Sequence, residues 1–119
     1  MENAKSRLYE MAAILDKQKG RDIVALDVSG LTVVCDYMLI VSGRNAVHTK
    51  SLADELDDRM RESGLTPLRS EGQKDGRWII LDYGDILVEI FHPEEREYYH
   101  LERLWEDGTN RVELALDPD

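Results

Sequence analysis

The chain has 119 residues, 42% of them hydrophobic, which predicts one folded domain over residues 1–119. Its one cysteine excludes an internal disulfide and a cysteine-based zinc site, and its apolar runs are too short to cross a membrane. The net charge of −10 is uneven, at +1 for residues 1–50 and −11 for residues 51–119, which disfavours direct binding of nucleic acid. Composition alone fits a basic protein partner and a purely solubilising role of the acids equally well.

The N-terminal half reads as a helix, two strands and a second helix. The first 22 residues have apolar side chains at helical spacing and lack the apolar stretch of a signal peptide, so we expect a soluble, cytoplasmic protein. Asn45 is a good N-cap for the second helix. The predicted bounds are 3–18 for the first helix, 22–28 and 37–42 for the strands, and about 46–63 for the second helix.

The C-terminal half reads as a hairpin, a helix and a last strand, with a further short strand at 65–69. Gly84 supplies the positive φ that the hairpin turn at Tyr83-Gly84 needs. Pro93 is placed to begin the helix. These elements predict an α/β fold with a mixed sheet flanked by helices. The remaining assignments are strands at 78–82 and 85–91, a helical stripe of Tyr98, Leu101, Leu104 and Trp105, and a half-exposed strand with Val112, Leu114 and Leu116.

Three carboxylates near the hairpin raise the question of catalysis. Asp82, Asp85 and Glu89 have the side chains of a magnesium site for nucleotidyl transfer. No P-loop lysine and no Ser/His/Asp or Cys/His arrangement accompanies them. We therefore assign no catalytic, cofactor-binding or metal-binding residue. A metal-dependent nucleotidyltransferase stays open as an alternative.

The same region fits a surface for a basic partner better. Asp82 and Asp85 flank the turn in the acidic part of the chain, and like charges at such close range repel unless a cation lies between them. Trp78 and Tyr83 border the polar loops, and Trp and Tyr beside charged residues are typical of interface hot spots. We expect the hairpin to bind a partner through its acids and aromatic rings.

Three stretches of the sequence resemble a known family. They are CDYMLIVSGRNAVHTKSLADEL at 35–56, EGQKDGRWIILDYGDILVEIF at 71–91 and HPEEREYYHLERLW at 92–105. Together with the helix before them they span nearly the whole chain, and they are similar to the ribosomal silencing factors, also called the Iojap or RsfS family. The resemblance implies an α/β fold with nucleotidyltransferase-like topology but without the catalytic signature of those enzymes.

The resemblance also implies a function. Members repress translation by binding protein L-fourteen of the large ribosomal subunit, which blocks joining of the subunits when nutrients are short. Members are often homodimers, and a homodimer is therefore an expectation here. A role in assembly of the large subunit through the same surface is an alternative that the sequence leaves open.

Two positions depart from the pattern of the family. The family commonly has His where this chain has Glu89, and Ser where it has Asn45, which keeps an N-cap. A carboxylate at position 89 still suits a basic partner. The family's recurrent positions fall here on Trp78, Asp82, Gly84 and Asp85, on Asp36-Tyr37, and on Tyr99, Leu101, Glu102 and Trp105. The residues expected to bind the partner are Trp78, Asp82, Tyr83, Asp85, Glu89, Tyr99 and Glu102.

Overall fold

The computed structural model describes residues 3–116, which form one six-stranded mixed sheet with helices on both faces. The predicted fold class is thereby confirmed. The helices are α1 Ala4–Lys17, α2 Ala46–Glu62, α3 Pro93–Tyr99 and α4 Leu101–Trp105. The strands are β1 Arg21–Asp27, β2 Tyr37–Ser42, β3 Arg69–Glu71, β4 Trp78–Asp82, β5 Ile86–Phe91 and β6 Arg111–Val112.

The strand order is β3-β4-β5-β2-β1-β6, and β2 and β5 run parallel while every other neighbouring pair is antiparallel. The helix α2 connects the parallel part of the sheet, as such a crossover requires. The continuous apolar run of β2 predicts a central strand, and its position between β5 and β1 confirms this.

Helices α1 and α2 cover one face of the sheet. Asn3 and Asn45 begin them as N-caps, each accepting a backbone N–H bond, and Asn45 has the role that its type and position predict. Their apolar stripes pack on alternate residues of β2, β4 and β5, which form the larger core cluster. The buried helix residues are Leu8, Met11, Ala12, Ile14 and Leu15 of α1 and Leu52, Ala53, Leu56 and Met60 of α2.

The other face is covered by α3, α4 and the loop between β1 and β2. The single helix predicted after Pro93 is wrong, because His100 adopts a left-handed conformation with φ of 47° and divides it into two short helices. Because of this break, the four apolar residues of the predicted stripe do not share one helix face. Leu101 and Trp105 pack on the sheet, whereas Tyr98 and Leu104 are exposed.

Three other boundaries differ from those predicted. The hairpin turn is centred on Gly84 and Asp85, one residue later than expected, with Gly84 at φ of 90°. A short strand is predicted at 65–69, whereas the structure has it at Arg69–Glu71, as β3. Only β6 of the predicted last strand pairs with β1, although its three apolar side chains are half-buried as expected. Among residues 3–116, no helix has the length and apolar character that a membrane crossing requires.

Candidate functional site

The alternation of strand side chains divides the predicted site between the two faces of the sheet. Trp78, Asp82 and Glu89 point to the face that α3 and α4 partly cover, where Ile80 lies directly across from Glu89. Tyr83 points the other way, into the core beneath α1 and α2, and is 6% exposed. Its burial raises the pKa of its hydroxyl to about 12. Tyr83 therefore contributes to the core rather than to an open surface.

The face that carries Trp78 is formed in its open part by Trp78, Ile80, Asp82, Glu89 and Tyr99, and is called here the Trp78 face. Trp78, Ile80, Asp82 and Tyr99 are all at least partly exposed, and only Glu89 is covered by its neighbours. Strands β4 and β5 hold Trp78, Ile80, Asp82 and Glu89 in fixed register. Helix α3 places Tyr99 against Trp78. Trp78, Ile80 and Asp82 therefore lie along one face of the sheet, with Tyr99 against Trp78 and Glu89 beneath the surface.

Each aspartate of the hairpin has a cation from its own chain. Asp82 accepts a backbone bond from Gly84 at 2.9 Å and a side-chain bond from Arg69 Nε at 3.2 Å. Asp85 accepts from Arg7 Nη1 of α1 at 3.0 Å. The repulsion that the sequence suggests is therefore relieved internally. Sequence reasoning missed both arginines, because Arg7 lies 78 residues from Asp85 and nothing in the local pattern connects them.

The three carboxylates of the nucleotidyltransferase alternative do not converge. Asp82 and Glu89 lie on the Trp78 face, and Asp85 lies at the turn with its Oδ2 bonded to Arg7. Within residues 3–116, no group of three or more His, Cys, Asp or Glu side chains is placed to hold a metal ion. In this part of the chain the alternative lacks the ligand set that it requires.

Aromatic rings extend from the sheet to the surface. Trp78 packs on Phe91 and on Tyr99, with ring centroids 5.0 and 5.2 Å apart, and Tyr98 meets Tyr99 edge to face at 4.9 Å. Tyr99 is 47% exposed and Tyr98 is 79% exposed. The indole Nε1 of Trp78 is buried and has no hydrogen-bond partner in the structure. The rings therefore expose apolar area, and the indole N–H buried among them lacks an acceptor.

Glu89 is the least expected residue of the Trp78 face. It is 4% exposed, it lies between Ile40 of β2 and Ile80 of β4, and its Oε2 has no hydrogen-bond partner. Burial raises the pKa of this carboxyl from 4.5 to about 7, since the charged form has lost its water without gaining a cation. The apolar residues at successive positions of β5 predict cover on both faces, and the burial of the whole strand confirms it, but the sequence does not indicate that Glu89 lacks a partner there.

Glu102 is paired within the chain on one side only. Arg96, which is buried, donates from Nε to Glu102 Oε1 at 3.3 Å and from Nη1 to Ser42 Oγ at 3.0 Å. Glu102 Oε2 is buried without a partner. Arg96 thus fastens α3 and α4 to the end of β2. The spacing of six residues across the break at His100 hides this pair from helical pattern analysis.

Comparison with known proteins gives a consistent result. Residues 1–118 match the family model described as "Ribosomal silencing factor during starvation". The ribosomal silencing factor RsfS of Bacillus subtilis is 41% identical over 106 residues, 89% of this chain and 90% of that protein. A crystal structure of a Chromobacterium violaceum protein has a TM-score of 0.80 at 34% identity, covering 97% of each chain. A mouse protein, "Mitochondrial assembly of ribosomal large subunit protein 1", is 27% identical over 105 residues, 86% of this chain and 46% of that protein.

Proposed function

The chain belongs to the family of ribosomal silencing factors, and from this membership we propose that it represses translation by docking on the large ribosomal subunit. In the proposal the Trp78 face binds protein L-fourteen, and the bound domain prevents the small subunit from joining when nutrients are short. The protein then acts in the cytoplasm, where ribosomes translate, and needs no catalysis. Homodimerisation stays a prediction, and docking of a dimer would require that the Trp78 face be free of the second copy.

The observation that carries this proposal is the combination of aromatic rings on the Trp78 face with buried, unpaired carboxylate oxygens beneath it and in α4 beside it. Trp78 and Tyr99 provide rigid apolar area of the kind that dominates binding energy at interfaces. Glu89 and Glu102 each have a carboxylate oxygen without a partner. The surrounding acidic half of the chain has a balance of −11, which steers the face toward a basic surface. These features support a basic protein partner.

Repression by obstruction requires only affinity and position. The described backbone extends 33 × 33 × 30 Å, so a docked copy occupies a volume that no second large body can share. Subunits that meet through extended surfaces cannot close around an obstacle of this size. Repression by this route therefore requires binding at the Trp78 face and no other activity of the domain.

Co-sedimentation with separated subunits and with joined ribosomes tests the proposal. We expect the wild-type protein to bind the large subunit alone and to lower the fraction of joined ribosomes. Replacement of Tyr99 by alanine removes exposed aromatic area from the Trp78 face and should weaken binding about tenfold. The matched control is Tyr9→Ala, because Tyr9 is 42% exposed on α1, on the opposite side of the sheet.

The outcomes separate the function from its location. Absence of binding to any ribosomal particle would refute the proposed function. Binding that is lost in Tyr9→Ala and kept in Tyr99→Ala would leave the function standing but place the interface on the exposed surface of α1. Equal loss in both variants would show that the fold, rather than a surface, was affected, and circular dichroism would confirm this.

A second candidate function is assembly of the large subunit. It is favoured by the name of the mouse relative, which describes a protein of mitochondrial large-subunit assembly. Ribosome profiles of cells that lack the gene distinguish the two functions. If the protein is an assembly factor, cells that lack the gene should accumulate precursor particles of the large subunit during rapid growth. If it is a silencing factor, those cells should have normal subunits and an excess of joined ribosomes in starvation.

A further inference from the structure

Glu89 has an unused carboxylate oxygen in the middle of the Trp78 face. Its side chain is more than nine-tenths buried, and its Oε2 has no hydrogen-bond partner in the structure. The directly opposite residue of β4, Ile80, is only half-buried, so the cover over the carboxylate is thinnest on that side. A buried carboxylate without a partner is costly to the fold, and a partner that supplied the missing hydrogen bond would recover part of that cost.

The arginines on either side of this face are already engaged. Arg69 of β3 bonds to Glu71 at 3.1 Å and to Asp82 at 3.2 Å. Arg96 of α3 bonds to Glu102 and Ser42. Within residues 3–116 neither these arginines nor any other cation forms an ion pair with Glu89. A positive charge that pairs with ionised Glu89 would therefore come from another molecule.

We propose that Glu89 receives a single Lys or Arg side chain from the protein on which the Trp78 face docks. The inference rests on the proposed function and specifies its central contact. Trp78 and Glu89 are diagonal neighbours in the β4–β5 register, and both carry a buried polar atom without a partner. One segment of the partner satisfies both: its cationic side chain donates to Glu89, and one of its backbone carbonyls accepts from Trp78 Nε1.

This contact makes docking dependent on pH. Burial holds the pKa of Glu89 at about 7 in the free protein, and the ionised form alone pairs with a cation. The ionised fraction rises from about a tenth at pH 6 to about nine-tenths at pH 8, so the affinity of the wild-type protein should rise about tenfold over this range. The other titratable or charged groups on the elements packed against this face belong to the loop before β2, to β3 and β4, and to α3 and α4 with the residue between them. They are Cys35, Asp36, Arg69, Glu71, Asp82, Glu94, Glu95, Arg96, Glu97, Tyr98, Tyr99, His100, Glu102 and Arg103.

The variant Glu89→Gln tests the proposal, with Glu113→Gln as the matched control. Glutamine has the shape of the protonated carboxyl, and Glu113 is an exposed residue beyond β6 that undergoes the same change of charge. Binding of each protein to purified large subunits is measured at intervals between pH 6 and pH 8. Groups on the ribosome and elsewhere in the chain titrate equally in all three proteins, so the ratio of affinities isolates Glu89.

We expect the ratio of wild-type to Glu89→Gln affinity to rise about tenfold between pH 6 and pH 8, while Glu113→Gln follows the wild type. A ratio that stays constant with pH, or equal affinity of Glu89→Gln at pH 8, would overturn the inference and leave the proposed function intact. Failure of the wild-type protein to bind large subunits at every pH would instead refute the proposed function, and this inference with it.

Discussion

Replacing Glu89 by glutamine should stabilise the folded domain in neutral solution, in contrast to most substitutions in a core. The side chain is buried on the sheet between Ile40 and Ile80, and its Oε2 has no partner. Glutamine keeps the length and branching of the side chain and removes the charge. The variant therefore tests whether an unpaired buried carboxylate is present in the free protein, independently of any ribosome.

The magnitude follows from the pKa of Glu89, which burial raises from 4.5 in the unfolded chain to about 7 in the folded protein. Below pH 4.5 the carboxyl is protonated in both states and has no effect on stability. Between pH 4.5 and pH 7 the unfolded chain releases the proton that the folded protein keeps, so the wild type loses stability as the pH rises. The loss reaches about 3 kcal/mol above pH 7 and then stays constant.

The assay is urea unfolding followed by circular dichroism at intervals from pH 4 to pH 8.5. The difference in unfolding free energy between Glu89→Gln and wild type should be near zero at pH 4 and should approach about 3 kcal/mol in favour of the variant at pH 8. A constant offset from the glutamine amide does not alter this slope. Glu113→Gln serves as the control and should show no such slope.

A difference that stays flat with pH would refute the reasoning. It would mean that Glu89 ionises at the same pH in the folded and unfolded states, and hence that water or a cation reaches the carboxylate in solution. A difference of opposite sign, with the variant less stable above pH 7, would mean that the charged form makes a stabilising contact within the domain.

Three further predictions follow from other contacts. Gly72→Ala should lower the unfolding free energy by about 2 kcal/mol or more, measured by thermal unfolding. Gly72 has φ of 88°, and an added Cβ would meet a backbone carbonyl. Gly30→Ala is the control and should change the stability little, because the space around Gly30 is open. A double-mutant cycle on Arg7→Gln and Asp85→Asn should give a coupling of only about 0.5–1 kcal/mol, because both side chains are partly exposed. A coupling well above about 1 kcal/mol would contradict this reasoning. Calorimetric titration with magnesium and ATP should show no binding, and tight binding that Asp82→Ala abolishes would revive the nucleotidyltransferase alternative.

Local sequence was sufficient for most of the architecture. The helical period of the apolar residues placed α2, and continuous apolar runs placed β2, β4 and β5, each to within a residue or so. Both patterns are local, because burial on one side of a helix or on both faces of a strand determines which positions are apolar. Asn45 and Gly84 marked a helix start and a turn for similarly local reasons, a cap bond and a positive φ. The resemblance to the silencing factors extended over nearly the whole chain, and the family model confirms it.

Tertiary structure alone decided the state of the acidic side chains. Arg7 reaches Asp85 across most of the sequence, and Arg69 reaches Asp82 across the pairing of β3 with β4. The left-handed conformation of His100 divides a segment whose apolar spacing predicts a single helix. Such features depend on contacts between elements that are distant in the sequence, and local sequence patterns do not specify those contacts.

The same distinction applies to the candidate site. Composition and the pattern of strands identified an acidic hairpin with aromatic neighbours, suited to a basic partner. Only the packing of the sheet showed that Tyr83 faces the core and that Glu89 is covered without being paired. The physical reason is that residue type determines the charge a side chain carries, whereas its solvation and partners depend on every element packed around it.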